Sequence, residues 1–157
     1  MKQRIGIAQA LLGKPELIIV DEPTAGLDPV ERRRFHNLLA DIGEDVVVIL
    51  STHIVEDVSD LCSRMAIMAK GQILSQGEPA ELIASLQGRL WHKIVDKGAL
   101  SELRESVDIL SVQRTAGRLE VKSLGEVPPD GFVAVEPTLE DVYFATLSEA
   151  GVDIDVD

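Results

Sequence analysis

Leu17-Ile18-Ile19-Val20-Asp21-Glu22-Pro23 sets four consecutive aliphatic side chains in front of two carboxylates and a proline. An unbroken aliphatic run of this kind reads as a strand covered on both faces, as in parallel sheets. A second run, Val46-Val47-Val48-Ile49-Leu50, has the same character and leads into Ser51-Thr52-His53. Its β-branched residues favour extended backbone. Between the two runs, Thr24–Asp28 reads as a loop carrying Gly26, with Asp28 as a helix cap and Pro29 at the first helical position. The helix then runs to about Asp41 and turns Phe35, Leu38, Leu39 and Ile42 inward, and Gly43 ends it. Strand, helix and strand in this order predict a parallel sheet with helices on its faces.

Working outward, residues 2–13 read as a helix, because Ile5, Ala8, Leu11 and Leu12 recur at helical spacing and Gly13 and Pro15 stop it. Ser51 or Thr52 opens another helix through Ile54, Val55, Val58 and Leu61. Arg64–Ala69 and Gln72–Ser75 flank Lys70-Gly71 and read as a hairpin. Pro79 opens a short helix over Glu78–Leu86. From residue 88 the pattern changes to short strands at Leu90–Val95, Ile109–Arg114, Leu119–Val121 and Phe132–Val135. Helices are read at Ala99–Ser106 and Leu139–Leu147, and Val127–Gly131 is a turn. The expected organisation is an α/β domain over 1–87 and a small α+β region over 88–157, ending in an acidic tail.

Composition narrows the function. The chain has 157 residues with 15 basic and 27 acidic side chains, a formal net charge of −12. Such a chain repels phosphate backbones, which argues against a nucleic-acid partner. Charged residues at 27% and hydrophobic residues at 45% form an ordinary globular balance. No apolar run approaches the roughly 18 residues that span a bilayer. Nor does an apolar stretch ending in a cleavage site stand at the N-terminus, which argues against secretion. A single cysteine, Cys62, excludes an internal disulfide and fits a reducing compartment.

The chemistry sits at the strand ends. Ligands of parallel sheets bind beyond the carboxyl ends of the strands, and Asp21 and Glu22 stand at such an end. One carboxylate there can hold a hydrated Mg²⁺, a hard cation that prefers oxygen. The next can orient and deprotonate a water. Together they fit phosphoryl transfer. The plain alternative is a strand that merely ends in acids. His53 follows the second run, so it should share that sheet edge, where an imidazole can donate to a phosphate oxygen. Ala25-Gly26-Leu27-Asp28-Pro29 taken alone is a loop and a helix cap. His36 and His92 lack such a context and read as structural.

The segment MKQRIGIAQALLGKPELIIVDEPTAGLDP, followed by VVVILSTH, resembles the back half of an ABC transporter ATPase over residues 1 to about 86. The resemblance implies a partial P-loop NTPase sheet, ATP and Mg²⁺ as ligands, and a role for each matching position. Met1, Lys2, Gln3 and Arg4 match the tail of the signature sequence that faces the partner subunit's nucleotide. Leu17–Asp21 match the Walker B strand, with Asp21 on the metal side. Glu22 matches the catalytic base, Ala25–Asp28 the loop that contacts the opposite subunit, and His53 the switch histidine that senses the γ-phosphate. Pro137-Thr138-Leu139-Glu140-Asp141-Val142-Tyr143 resembles the closing segment of ATPases that serve ABC-2-type exporters. Its bland reading is an N-capped helix, with Thr138 as the cap and Asp141 in the first turn. The resemblance implies a second ATPase subunit and a membrane permease as partners. It also implies a cytoplasmic place, peripheral on the inner face of the membrane.

The sequence departs from that family in one respect. It holds no GxxxxGK[ST] phosphate loop and no glutamine loop. The backbone N–H groups and lysine that grip the β- and γ-phosphates are therefore missing. This implies the C-terminal part of an ATPase, truncated and inactive alone, whose intact parent hydrolyses ATP as a dimer and drives export. The alternative is a non-catalytic fragment that binds full-length subunits through Ala25–Asp28 and its C-terminal layer. An unrelated Mg²⁺-dependent hydrolase built on Asp21, Glu22 and Asp28 lacks any further ligand cluster. Strands 16–20 and 45–50 lack neighbours. If about 1000 Å² of apolar surface is left bare, burial on the order of 25 kcal/mol is forgone, an upper bound. Such a chain is expected to be unstable or to associate as an isolated monomer.

Overall fold

The computed structural model describes residues 2–115 and 117–152, with side chains from residue 5 onward. Met1 and the acidic tail over 153–157 lie outside the described residues. The chain forms two compact units, Met1–Ser63 and Arg64–Asp157.

The first unit contains α1 (Lys2–Leu11), β1 (Leu17–Asp21), α2 (Pro29–Gly43), β2 (Val47–Ser51) and α3 (Val55–Leu61). The strands pair in parallel, in register from Leu17↔Val47 to Asp21↔Ser51. The crossover helix α2 begins as its sequence dictates: the Asp28 carboxylate accepts from the Glu31 N–H at 2.8 Å, and Pro29 follows it. Its inward stripe buries Phe35 and Leu39 against Ile7 of α1, with Leu11, Val20, Leu27, Ile42, Val48 and Leu61 packed around them. His36 is also buried on this helix, whereas Leu38 is only half-buried.

The sheet is covered on one face only. Ile18 is buried, and Val20 and Val48 pack on the core, but Leu17, Ile19, Val47 and Ile49 are 47–70% exposed. The expectation of strands covered on both faces is therefore not met: one face is packed and the other is bare. The alternation of the pleat turns every second side chain to a side where no layer of the described residues lies.

The second unit opens with an antiparallel hairpin, β3 (Met65–Ala69) and β4 (Gln72–Gly77). Its turn residues Lys70 and Gly71 have φ of 49° and 77°, the pair of left-handed conformations a tight hairpin needs. Then come α4 (Pro79–Ala84), β5 (Leu90–Val95), a 3₁₀ turn at Lys97–Ala99, α5 (Leu100–Ser106), β6 (Ser111–Thr115), β7 (Arg118–Leu124), β8 (Val133–Ala134) and α6 (Leu139–Glu149). An antiparallel sheet in the order β6-β7-β5-β8 results. Leu119, Val121 and Phe132 form its core, covered by Leu100, Leu103 and Val107 of the α5 segment.

Helix α6 starts with a capping box. The Thr138 hydroxyl accepts from the Asp141 N–H, and the Thr138 N–H donates to Asp141 Oδ2 at 2.8 Å. The buried Asp141 also receives the Lys122 ammonium, with Nζ 2.7 Å from Oδ1. The division between units falls ahead of the change of sequence pattern at residue 87, because β3, β4 and α4 pack against α6. No helix among the described residues is long and apolar enough to cross a membrane.

Candidate functional site

The register of β1 and β2 puts Asp21 beside Ser51, so both chains leave the sheet at one edge. The Ser51 hydroxyl donates to Asp21 Oδ1, and the Glu22 N–H donates to the Ser51 carbonyl at 2.8 Å. Glu22 is thus the first residue beyond the ladder. Its φ of 47° is left-handed, uncommon for a residue with a side chain, and turns the backbone sharply into Pro23.

That turn delivers the Glu22 carboxylate to the end of β2. Oε1 accepts from the His53 backbone N–H at 3.2 Å and lies 2.8 Å from ring Nδ1. With Glu22 ionised, Nδ1 carries the proton and Nε2 is left on the far side of the ring. Glu22 Oε2 is buried and has no hydrogen-bond partner among the described residues. The His53 side chain is 76% exposed, and Asp21 is exposed too. The cluster therefore holds a carboxylate tied to an imidazole that is open to solvent, and a second carboxylate at the rim.

Asp21 fits a hydrated magnesium ion. Mg²⁺ keeps most of its waters and needs only one or two protein carboxylates. Asp21 supplies one, exposed and steadied by Ser51. A dedicated cage is a different matter: no group of three or more His, Cys, Asp or Glu that could hold a metal occurs among the described residues.

The buried side lies behind the cluster. Pro23 and Thr24 are buried, and the Thr24 hydroxyl donates to Asp57 Oδ2 on α3. The same oxygen is 3.5 Å from the Thr52 hydroxyl, and Oδ1 is 2.9 Å from His36 Nε2. The Cys62 thiol, at the end of α3, is pushed above its ordinary value of 9.0, chiefly by burial and further by the charge of Asp57.

The structure thus brings together Asp21, Glu22 and His53. Asp28 serves as the cap of α2, with no contact to that cluster among the described residues. Met1 and the side chains of Lys2 and Gln3 lie outside the described residues, although α1 begins at Lys2. His36 and His92 each meet a carboxylate, Asp57 and Glu120 respectively. Sequence reasoning missed Ser51 as a partner of Asp21, and missed Thr24 and Asp57 altogether. Asp57 reads only as an acid in the first turn of a helix, and nothing local separates a solvated one from a buried one.

No family model matches the chain. An uncharacterized ABC transporter ATP-binding protein of Synechocystis is 30% identical across 97% of this chain. Another, from Bacillus subtilis, is 34% identical across 99% of it. The chain belongs with the ABC transporter ATP-binding proteins. Both matches run through the two units. The methionine import ATP-binding protein of Streptomyces griseus is 35% identical across 78% of the chain. The chain spans about half the length of the first two relatives, 46% of each, and 36% of the third. The α/β class expected of an ABC ATPase segment, followed by an α+β region, agrees with the observed elements. The export direction expected from the closing segment is not fixed by these relatives, since one of them is named for import.

Proposed function

We propose that this chain carries the water-activating edge of the ATP site of an ABC transporter ATP-binding subunit. The carrying observation is the contact of Glu22 with His53 at the adjoining ends of two parallel strands, with Glu22 Oε2 left without a partner among the described residues. In this reading Glu22 is the general base. Oε1 is held by His53, and the carboxylate takes the proton of the water that attacks the γ-phosphate of ATP. His53 turns Nε2 toward that phosphate and orients Glu22 through Nδ1. Asp21, steadied by Ser51, would hold a hydrated Mg²⁺. When bound, Mg²⁺ neutralises charge on the phosphates.

The remaining roles rest on the sequence resemblance. Met1, Lys2 and Gln3 face the nucleotide of the partner subunit, and the Ala25–Asp28 loop, with Asp28 at its end, meets that subunit across the dimer. A second ATPase subunit and a membrane permease are the partners, and the protein is cytoplasmic and attached to the membrane through the permease. The segment from Pro137 to Tyr143 supports an export system.

The test is Glu22→Gln in the full-length ATP-binding protein that contains this segment. ATP turnover should fall about 10²–10⁴-fold, the usual worth of a positioned base, while ATP binding persists. Turnover within a few-fold of wild type would remove Glu22 from the role.

A further inference from the structure

Asp57 is a fully buried carboxylate that this mechanism leaves unused. An ion so placed needs hydrogen bonds to offset the loss of water. Asp57 draws them from three segments: Thr24 beyond β1, Thr52 beyond β2, and His36 on α2. The Thr52 hydroxyl accepts from the Ile54 N–H at 3.0 Å, so its own hydrogen remains for Asp57. His36 Nδ1 in turn lies 3.5 Å from Asp60 Oδ2, on the same helix as Asp57.

Two of these anchors flank the candidate site. Thr24 is two residues past Glu22, and Thr52 immediately precedes His53. The Glu22–His53 contact itself joins side chains that are 35% and 76% exposed. A pair so solvated contributes little to holding the two backbones in place. The interior has to fix the two backbones, and Thr24, itself fully buried, ties one of them to Asp57. We propose that Asp57 is a positioning residue: through Thr24 and Thr52 it sets the spacing of Glu22 and His53. The proposal rests on the ATPase reading for its functional meaning, but not for its geometry.

The test uses the full chain with ¹⁵N-labelled histidine. The ring-nitrogen signals of His53 report its hydrogen bond to Glu22, and Glu22→Gln supplies the reference for a disrupted pair. Thr24→Val, which keeps the shape and removes the hydroxyl, should move the His53 signals toward that reference, as should Asp57→Asn. Thr24→Ser, which keeps the hydroxyl, should leave them at the wild-type position. Wild-type His53 signals in folded Thr24→Val overturn the proposal. If Asp57→Asn does not fold, the two Thr24 variants decide alone.

In the full-length protein, Thr24→Val should lower kcat at least about tenfold, with the KM for ATP within twofold, because misplacing a reacting group costs rate rather than binding. A rise in KM at unchanged kcat also overturns the proposal. Should the wild-type full-length protein hydrolyse no ATP, the ATPase reading falls, and the histidine spectra still decide the role of Asp57.

Discussion

His53 holds a single oxygen of Glu22 twice, from its backbone N–H at 3.2 Å and from ring Nδ1 at 2.8 Å, across 31 residues of chain. The other oxygen of the carboxylate is left without a partner among the described residues. One side chain is thereby divided into a fixed half and an unpaired half.

This division makes His53→Ala informative. Both partners are partly exposed, so the loss in stability should stay below about 1 kcal/mol. Turnover of the full-length protein should fall far more. A thermal melt beside an ATPase assay separates the two, and a large drop in melting temperature with normal turnover would assign the histidine to the fold.

Helix α6 offers a test in the second unit. Thr138→Ala removes the hydroxyl that accepts from the Asp141 N–H and should cost about 1 kcal/mol, whereas Thr138→Ser should cost little. Urea unfolding followed at Trp91 reads this unit directly. Equal midpoints for the two variants would contradict the cap.

Asp141 also depends on Lys122, 2.7 Å away and mostly buried. Lys122→Met leaves that carboxylate buried with only the Thr138 groups beside it. The expected loss is about 3 kcal/mol, more than the cap variant, because one charge of a buried pair stays behind. A loss under 1 kcal/mol would show that the pair contributes little.

Cys62 carries a pH signature. Its folded pKa lies above the ordinary 9.0, so the protonated thiol is favoured by folding. The stability linked to it is fully present below pH 9 and is lost as pH rises through the folded value. At pH 8 an aromatic disulfide reagent should react more slowly with Cys62 than with a free thiol. Asp57→Asn, which removes the second cause of the shift, should speed that reaction if the variant folds. Reaction at the rate of a free thiol in the wild type would contradict the burial.

The uncovered sheet face predicts self-association. Ile19 and Ile49 are register partners and are 70% and 52% exposed. At micromolar concentration the isolated chain should sediment as more than a monomer, and the double variant Ile19→Lys, Ile49→Lys should shift it toward monomer. An unchanged distribution would place the contact elsewhere.

Legibility in the sequence followed locality. The aliphatic runs at Leu17–Val20 and Val46–Leu50, the Lys70-Gly71 turn and the Thr138–Asp141 box all declare themselves within a few residues, and each is found. Asp21, Glu22 and His53 were legible as sharing an edge because parallel strands end together. The hydroxyl of Ser51 on Asp21 and the burial of Asp57 were not, since each depends on residues some 30 positions away. The left-handed turn at Glu22 was equally hidden, because Glu-Pro carries no glycine to announce it. The division at Ser63 was obscured for a similar reason: the hairpin and α4 belong with a helix that arrives more than fifty residues later.

The parallel pairing of β1 and β2 has a kinetic consequence. Parallel strands cannot be joined by a tight turn, and here the connection includes the whole of α2. Closing a loop of about thirty residues costs on the order of 3 kcal/mol of chain entropy before any strand contact forms. The polar edge at Glu22 and His53 therefore forms only when two strand ends distant in sequence meet, a non-local pairing of the kind that slows folding.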